Sequence, residues 1–164
     1  MKIYLYQFQA QLKKFIIALL CSLTFGVFIG LAFLYYTTSF TPAGAVERYN
    51  GSPKESEFDI VENYPKPISE IFITTHNHVI VFTFIFSIVA LIFYFNSVIE
   101  GFLKTFLMVE PFISIIISFS SLWLMRFVNS NFIYLMTISS TLIYLSYFFM
   151  VGVIFYELLF KKNS

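Results

Sequence analysis

The chain has 164 residues, of which 59% are hydrophobic and only 12% are charged. Soluble domains carry about 25% charged residues, so this composition excludes an ordinary soluble protein and predicts a membrane protein. The net charge of +1 offers no basic surface for nucleic acid, and the single cysteine, Cys21, excludes an intrachain disulfide. Because Cys21 lies within an apolar run, we expect it to be a small buried residue.

Residues 1–14 alternate aromatic side chains with glutamines and lysines, a pattern typical of a segment at the cytoplasmic membrane interface. The first apolar span covers residues 15–36, which is too long for the core of a cleaved signal peptide. We therefore expect a permanent anchor. Within it Ser22, Gly26 and Gly30 recur every fourth residue, which predicts a face that another helix backbone can approach closely.

A long polar segment, residues 37–70, follows the first span and is predicted to be an extracytoplasmic loop. A connection of this length usually forms a functional lid or an ordered cap. Its prolines and glycines, including Pro42 and Gly44, predict turns, and the pair Asn50–Gly51 is the strongest turn signal.

The second span, residues 71–95, contains two histidines, His76 and His78. An ionisable side chain inside a span marks a candidate functional site, because lipid solvates it poorly unless it is paired, ligated or next to a wet cavity. Residues two apart point to nearly opposite faces of a helix, so both imidazoles can hold one metal only if the helix unwinds near Thr74 and Thr75. The alternative is that each hydrogen-bonds loop carbonyls or lipid headgroups.

The third span covers residues 105–125 and the fourth covers residues 132–155, which leaves residues 156–164 as a cytoplasmic tail. Both spans carry small hydroxylated residues, which favour helix packing over a polar transport path; they include Ser114, Ser118, Ser121, Ser140 and Ser146. Only helices or closed barrels satisfy the backbone in lipid, and strand alternation is absent. We predict an all-α membrane protein, an antiparallel four-helix transmembrane bundle with a long extracytoplasmic loop between helices 1 and 2.

Two charged residues lie near the ends of the third span. Glu110 is predicted to snorkel to the interface or to pair with Lys104; the alternative is a protonated carboxyl that meets hydroxyls on a neighbouring helix or belongs to a proton path. Arg126 is predicted to anchor to headgroups or to pair with Glu47 or another loop acid. Alternatively, Arg126 neutralises a haem propionate or holds an anionic substrate.

Met136 is predicted at about the same depth as the two histidines, and Arg126 is predicted to cap the outer end of the third helix. Histidine together with methionine could hold the iron of haem b or a copper ion. We therefore take His76 and His78 as candidate metal ligands, and both histidines with Met136 and Arg126 as a candidate cofactor site. Motifs for nucleotide binding, zinc peptidases, serine hydrolases and covalent haem are missing from the sequence. No catalytic residue is predicted, and catalytic activity of its own is not expected.

The distribution of lysine and arginine predicts the orientation. Six cations fall on one side and four on the other: Lys2, Lys13, Lys14, Lys104, Lys161 and Lys162 against Arg48, Lys54, Lys66 and Arg126. Lys13 and Lys14 adjoin the first span, which usually dominates the choice of orientation. We predict that both termini are cytoplasmic, so both histidines belong to the outer leaflet.

The block Val46–Gly51 (VERYNG), followed by Thr74–His78 (TTHNH) at the start of the second span, resembles small bacterial four-span inner-membrane proteins. In those proteins a VExYxG-like outer loop precedes a THxH-like helix start. The resemblance implies a multi-pass protein of the bacterial inner membrane with links to respiratory or redox systems. It singles out Glu47 and Tyr49, together with both histidines, without giving them roles.

Three functions follow from these observations. The first is a subunit of a larger respiratory or redox-type membrane complex, with a haem b, metal or quinone site at His76 and His78. The second is a structural or assembly subunit without a cofactor. The third is a small proton-coupled transporter that uses Glu110. The expected partners are the lipid bilayer and other membrane protein subunits, and not nucleic acid.

Overall fold

A computed structural model describes residues 3–52 and 63–161 of the chain. It contains a short 3₁₀ turn (Leu5–Gln7) and five α-helices: α1 (Ala10–Thr38), α2 (Pro42–Asn50), α3 (Ile68–Tyr94), α4 (Gly101–Phe127) and α5 (Phe132–Phe160). Four of them, α1, α3, α4 and α5, are long and apolar enough to cross a membrane. The predicted all-α transmembrane fold is confirmed. Of the residues that predict the orientation, Lys2, Lys54 and Lys162 lie outside the described residues.

The four long helices alternate in direction along the bundle. At one end α2 packs on α1, α4 and α5. At the other end the 3₁₀ turn contacts α5, and the Leu5 amide donates to the Phe95 carbonyl at 3.0 Å. These two ends are called the α2 end and the terminal end below.

The packed core is formed by α3, α4 and α5, and the interface between α4 and α5 is the most extensive one. Large apolar side chains fill this three-helix core. Among them are Phe86 of α3 and Tyr147 of α5, whose rings lie 6.1 Å apart and nearly perpendicular. Such edge-to-face contacts are a preferred geometry of aromatic pairs. Three helices therefore supply most of the tertiary packing.

Helix α1 lies at the periphery of this core. Only 11% of its most apolar stretch is buried within the chain, compared with 44% in both α4 and α5. A Cβ atom added at Gly26 or Gly30 would meet nothing within 4 Å, so none of the described helices packs closely on the small-residue stripe. Cys21 is exposed, and its predicted burial is wrong.

The predicted outer loop contains the short helix α2. Pro42 is its first residue and Gly44 lies inside it, so the turns predicted at these two positions are wrong. Proline fits the first helical position because the N–H group that it lacks would have no intrahelical acceptor there. The Thr41 hydroxyl caps the helix by accepting from the Gly44 amide at 3.0 Å. The helix ends at Asn50, where Gly51 adopts a φ of 87°. The chain thus turns at Asn50–Gly51.

The helices extend beyond the apolar spans read from the sequence. Helix α1 begins within residues 1–14, α4 begins before residue 105, and α5 continues into residues 156–164. Hydropathy marks the stretch that contacts lipid, whereas the backbone hydrogen bonds of a helix continue into more polar residues at the membrane surface. Residues assigned to the tail therefore belong to the bundle.

Candidate functional site

Helix α3 is unbroken through Thr74–His78, so the local unwinding that a chelate by both histidines requires does not occur. Both imidazoles are exposed with respect to the rest of the chain. The Nδ1 atom of His78 lies 2.8 Å from the Thr74 carbonyl oxygen. A carbonyl only accepts hydrogen bonds, so Nδ1 carries the hydrogen and, in the neutral ring, Nε2 carries a lone pair. The backbone of α3 thus selects one tautomer of His78.

The ring of His78 contacts two aromatic side chains, which also contact each other. Its centroid lies 5.7 Å from that of Phe82 on α3 and 5.7 Å from that of Phe119 on α4. Phe119 also lines an open groove of about 470 Å³ between α3 and α4. The groove is mostly apolar, and its lining includes Thr75, Val79, Ile116, Ser120 and Trp123. His78 therefore lies directly beside this groove.

The indole of Trp123 closes the contact between α3 and α4 at the groove. Its Nε1–H donates to the Thr75 hydroxyl at 2.9 Å, and its ring lies 4.5 Å from that of Phe72. Indole carries a polar N–H on an apolar ring, so this one hydrogen bond satisfies its polar group within a membrane-facing surface. These two contacts hold the indole of Trp123 in one position on the wall of the groove.

The four residues of the predicted cofactor site lie on three helices, and no hydrogen bond, ion pair or ring contact within residues 3–52 and 63–161 joins them. Met136 packs in an apolar cluster to which α2, α3, α4 and α5 all contribute. His76 points to another side of α3 than His78. The guanidinium of Arg126 lies 5.3 Å from the Phe127 ring, and its Nε is buried without a hydrogen-bond partner among the described residues. Within residues 3–52 and 63–161, no group of three or more histidine, cysteine or acidic side chains is placed to hold a metal ion.

Glu47 and Tyr49 join the two sides of the segment between α1 and α3 at the α2 end. The Glu47 carboxylate accepts from the Ser52 hydroxyl at 2.7 Å and from the Asn63 side-chain amide at 3.0 Å. These hydrogen bonds hold the pKa of Glu47 below its ordinary value, so the carboxylate stays ionised at neutral pH. The carbonyl of Tyr49 accepts from the Lys66 amide at 3.1 Å. These contacts join residues 47–52 to residues 63–66. The predicted pairing of Arg126 with Glu47 does not form.

Glu110 is buried, with 7% of its surface exposed, and its predicted snorkelling to the interface is wrong. One carboxylate oxygen accepts from the Ser146 hydroxyl at 2.6 Å and the other accepts from the Ser114 hydroxyl. Ser114 is the middle residue of α4 and Ser146 is the middle residue of α5. Lys104 donates to the Asn96 carbonyl at 2.9 Å. The carboxyl group therefore lies at the centre of the bundle, as in the alternative interpretation of hydroxyl partners on a neighbouring helix.

A second buried carboxylate, Glu157, was missed by the sequence interpretation. It is fully buried at the terminal end and accepts from the Ser97 amide at 2.7 Å, the Ser97 hydroxyl at 2.8 Å and the Tyr6 amide at 3.4 Å. The available signal is its spacing, because Glu157 continues the buried face of Ser146, Met150 and Ile154 at intervals of three and four residues.

Comparison with known proteins finds one family. Residues 39–164 match the family model Aq_1264_TM, which is described as a transmembrane helical domain. No curated protein and no solved structure matches the chain significantly. The match includes α2, the groove between α3 and α4, and both buried carboxylates. Because it covers more than half of the sequence, the chain belongs to the Aq_1264_TM family of transmembrane helical domains.

Proposed function

We propose that the protein is a membrane subunit that holds the headgroup of a lipid-soluble quinol in the groove between α3 and α4. The observation that carries this proposal is the state of His78. Its Nδ1–H is engaged by the Thr74 carbonyl, which leaves the Nε2 lone pair as a hydrogen-bond acceptor beside an aromatic groove.

The chemistry of a quinol suits this surface. A quinol is a planar ring that carries two hydroxyl donors and an apolar tail, so it reaches a lipid-facing groove from within the bilayer. Its ring would lie against Phe119 and Trp123, and one hydroxyl would donate to Nε2 of His78. His78 is about 15 Å along α3 from the start of the helix and lies within its apolar stretch, which supports a position at membrane depth.

A haem b iron or a copper ion suits the described residues less well. His76 and His78 lie on different sides of α3, so each iron or copper ion would receive at most one imidazole from this chain. Met136 packs in the apolar cluster of Ile71 and Met125, which also includes Phe119 and Trp123 of the groove. A metal would require further ligands from a partner subunit, whereas a quinol requires only an acceptor and an apolar surface.

The single tryptophan provides a direct test, because Trp123 lines the groove. We expect a short-chain benzoquinone to quench its fluorescence saturably in the purified protein, and we expect the matching benzoquinol to displace the quinone. Replacing His78→Ala removes one hydrogen bond and should weaken displacement by the quinol by up to about tenfold. His76→Ala is the matched control and should leave displacement unchanged.

Two results would overturn this assignment. Quenching that rises linearly with quinone concentration would indicate random collisions in the micelle and no binding site. Equal weakening in His76→Ala and His78→Ala would show that the tautomer of His78 does not recognise the ligand. Loss of quinol displacement in His78→Ala alone supports the proposal.

We also propose that this subunit docks on a larger membrane protein in a bacterial inner membrane, with both termini in the cytoplasm. The VExYxG-like and THxH-like motifs support the compartment, and the lysines next to α1 support the orientation. The docking face is the small-residue stripe of α1, Ser22, Gly26 and Gly30, which no helix within residues 3–52 and 63–161 covers closely.

Gly26→Leu tests the docking face. The space next to Gly26 is open, so the substitution should leave the fold intact and release the protein from its native complex, measured as a loss of mass on native gels. Gly152→Leu is the matched control, because it adds the same side chain at another open position on α5. A complex that survives Gly26→Leu would exclude this face.

A further inference from the structure

We infer that Glu110 is a proton-exchanging carboxyl group at the centre of the bundle, and that protons reach it from the α2 end through serine hydroxyls on α4 and α5. An ionisable group at this depth in a membrane protein is rare and is usually connected to a path for ions or protons. The groove beside His78 does not include Glu110, so this inference is independent of the proposed quinol site.

The hydrogen bonds around Glu110 are suited to proton exchange. The hydroxyls of Ser114 and Ser146 contact its two oxygens from two different helices. A serine hydroxyl both donates and accepts, so it can pass a proton to or from a carboxyl group by rotation about one bond. A second polar contact lies at the same level, where the hydroxyls of Thr24 and Tyr147 are 3.1 Å apart.

Further hydroxyl groups continue from Glu110 towards the α2 end. Ser118 lies one turn beyond Ser114, and its hydroxyl is 3.1 Å from that of Ser140 on α5. The next residue on this face is Ser121, which is almost fully buried and whose hydroxyl has no partner among the described residues. A buried hydroxyl usually binds a protein group or an ordered water. The Ser121 hydroxyl is therefore a site at which an ordered water can join the row of hydroxyl groups between α4 and α5.

Apolar side chains close the opposite direction. Leu107 is one turn from Glu110 on α4, and Met150 and Ile154 follow Ser146 on α5. All three are buried in the main core cluster. Neither thioether nor alkyl groups relay protons.

Apolar side chains also lie beyond Ser121, where Leu122 and Met125 are buried, so closure alone does not distinguish the two ends. The α2 end is assigned by the hydroxyls of Ser118, Ser140 and Ser121. They lead to within one turn of the Met125 carbonyl, which accepts from the Asn50 side-chain amide.

Few other titratable groups lie on the elements packed around Glu110. Helix α5 contributes Tyr144 and Tyr147 near it and Glu157 three turns away, and α4 contributes Lys104 towards the terminal end. The core positions of α3, Phe86, Val89, Ala90 and Phe93, cannot titrate. Any pH-dependent carboxyl signal from the bundle centre therefore belongs to Glu110.

Infrared spectroscopy of the full-length protein in lipid vesicles tests this inference. We expect a carbonyl stretching band of a protonated carboxyl that shifts on transfer to D₂O, is absent in Glu110→Gln and remains in Glu157→Gln. Ser118→Val should slow the isotope exchange by roughly tenfold, equivalent to a barrier about 1.4 kcal/mol higher. Ser87→Val, which removes an exposed hydroxyl of α3, is the matched control and should leave the rate unchanged.

Ser146→Ala provides a measurement that retains the carboxyl group, in case Glu110→Gln does not fold. Loss of one hydrogen-bond donor should shift the frequency of the same band. A band that does not exchange with D₂O would show that Glu110 is sealed and only joins the helices. Exchange at the wild-type rate in Ser118→Val would show that protons arrive by another route. Either result overturns the inference.

Discussion

Glu157→Leu is expected to destabilise the bundle by about 3 kcal/mol, because it leaves three partly buried donors at the terminal end without their acceptor. The Glu157 carboxylate joins α5 to the segment between α3 and α4 through Ser97, and to the N-terminal turn through the Tyr6 amide. An isosteric Glu157→Gln retains one oxygen as acceptor and should cost about 1 kcal/mol. Unfolding titrations followed by the fluorescence of Trp123 measure both free energies of unfolding.

The destabilisation should be largest at the terminal end. Hydrogen exchange of the Ser97 amide, which donates to Glu157 at 2.7 Å, should accelerate in Glu157→Leu. Exchange near Trp123, at the α2 end, should follow the global stability only. A Glu157→Leu protein as stable as the wild type, with an unchanged Ser97 amide, would show that water replaces the carboxylate as acceptor at no cost.

The number and type of helices could be predicted from sequence because the requirement for internal backbone hydrogen bonds in lipid leaves few alternatives. The peripheral position of α1 could not be predicted from the sequence. Its apolar side chains are equally well solvated by lipid and by protein, so hydropathy does not distinguish an exposed helix from a core helix. The serines of α4 and α5 were the better indicator, since they mark the interface that is most extensive in the structure.

The candidate sites were predicted to different extents for a similar reason. The spacing of His76 and His78 predicts that they point to different sides of one helix, because that depends on helix geometry alone. The groove beside His78 depends on Phe119 and Trp123, about 40 positions further along the chain and brought close only by packing of α3 on α4. The partner of Glu110, Ser146, depends in the same way on the register of α4 against α5. Contacts of this kind have no local sequence signal.

Phe86→Ala is expected to destabilise the fold by about 2 kcal/mol through the cavity that it leaves in the core. Phe86 is 1% exposed, and its ring lies 6.1 Å from that of Tyr147 on α5. In lipid the transfer contribution to such a substitution is small, because the unpacked side chain also rests in an apolar medium. The loss then measures van der Waals packing between α3 and α5.

Phe84→Ala is the matched control for this prediction. Phe84 lies on the same helix and is 65% exposed, so lipid chains fill the space that its ring vacates and the stability should change little. Unfolding in a detergent titration, with Trp123 as reporter, compares the two variants under the same conditions. Equal destabilisation by both substitutions would mean that Phe86 is not held in a packed core, and that α3 rests on α4 alone through the contacts at Thr75 and Trp123.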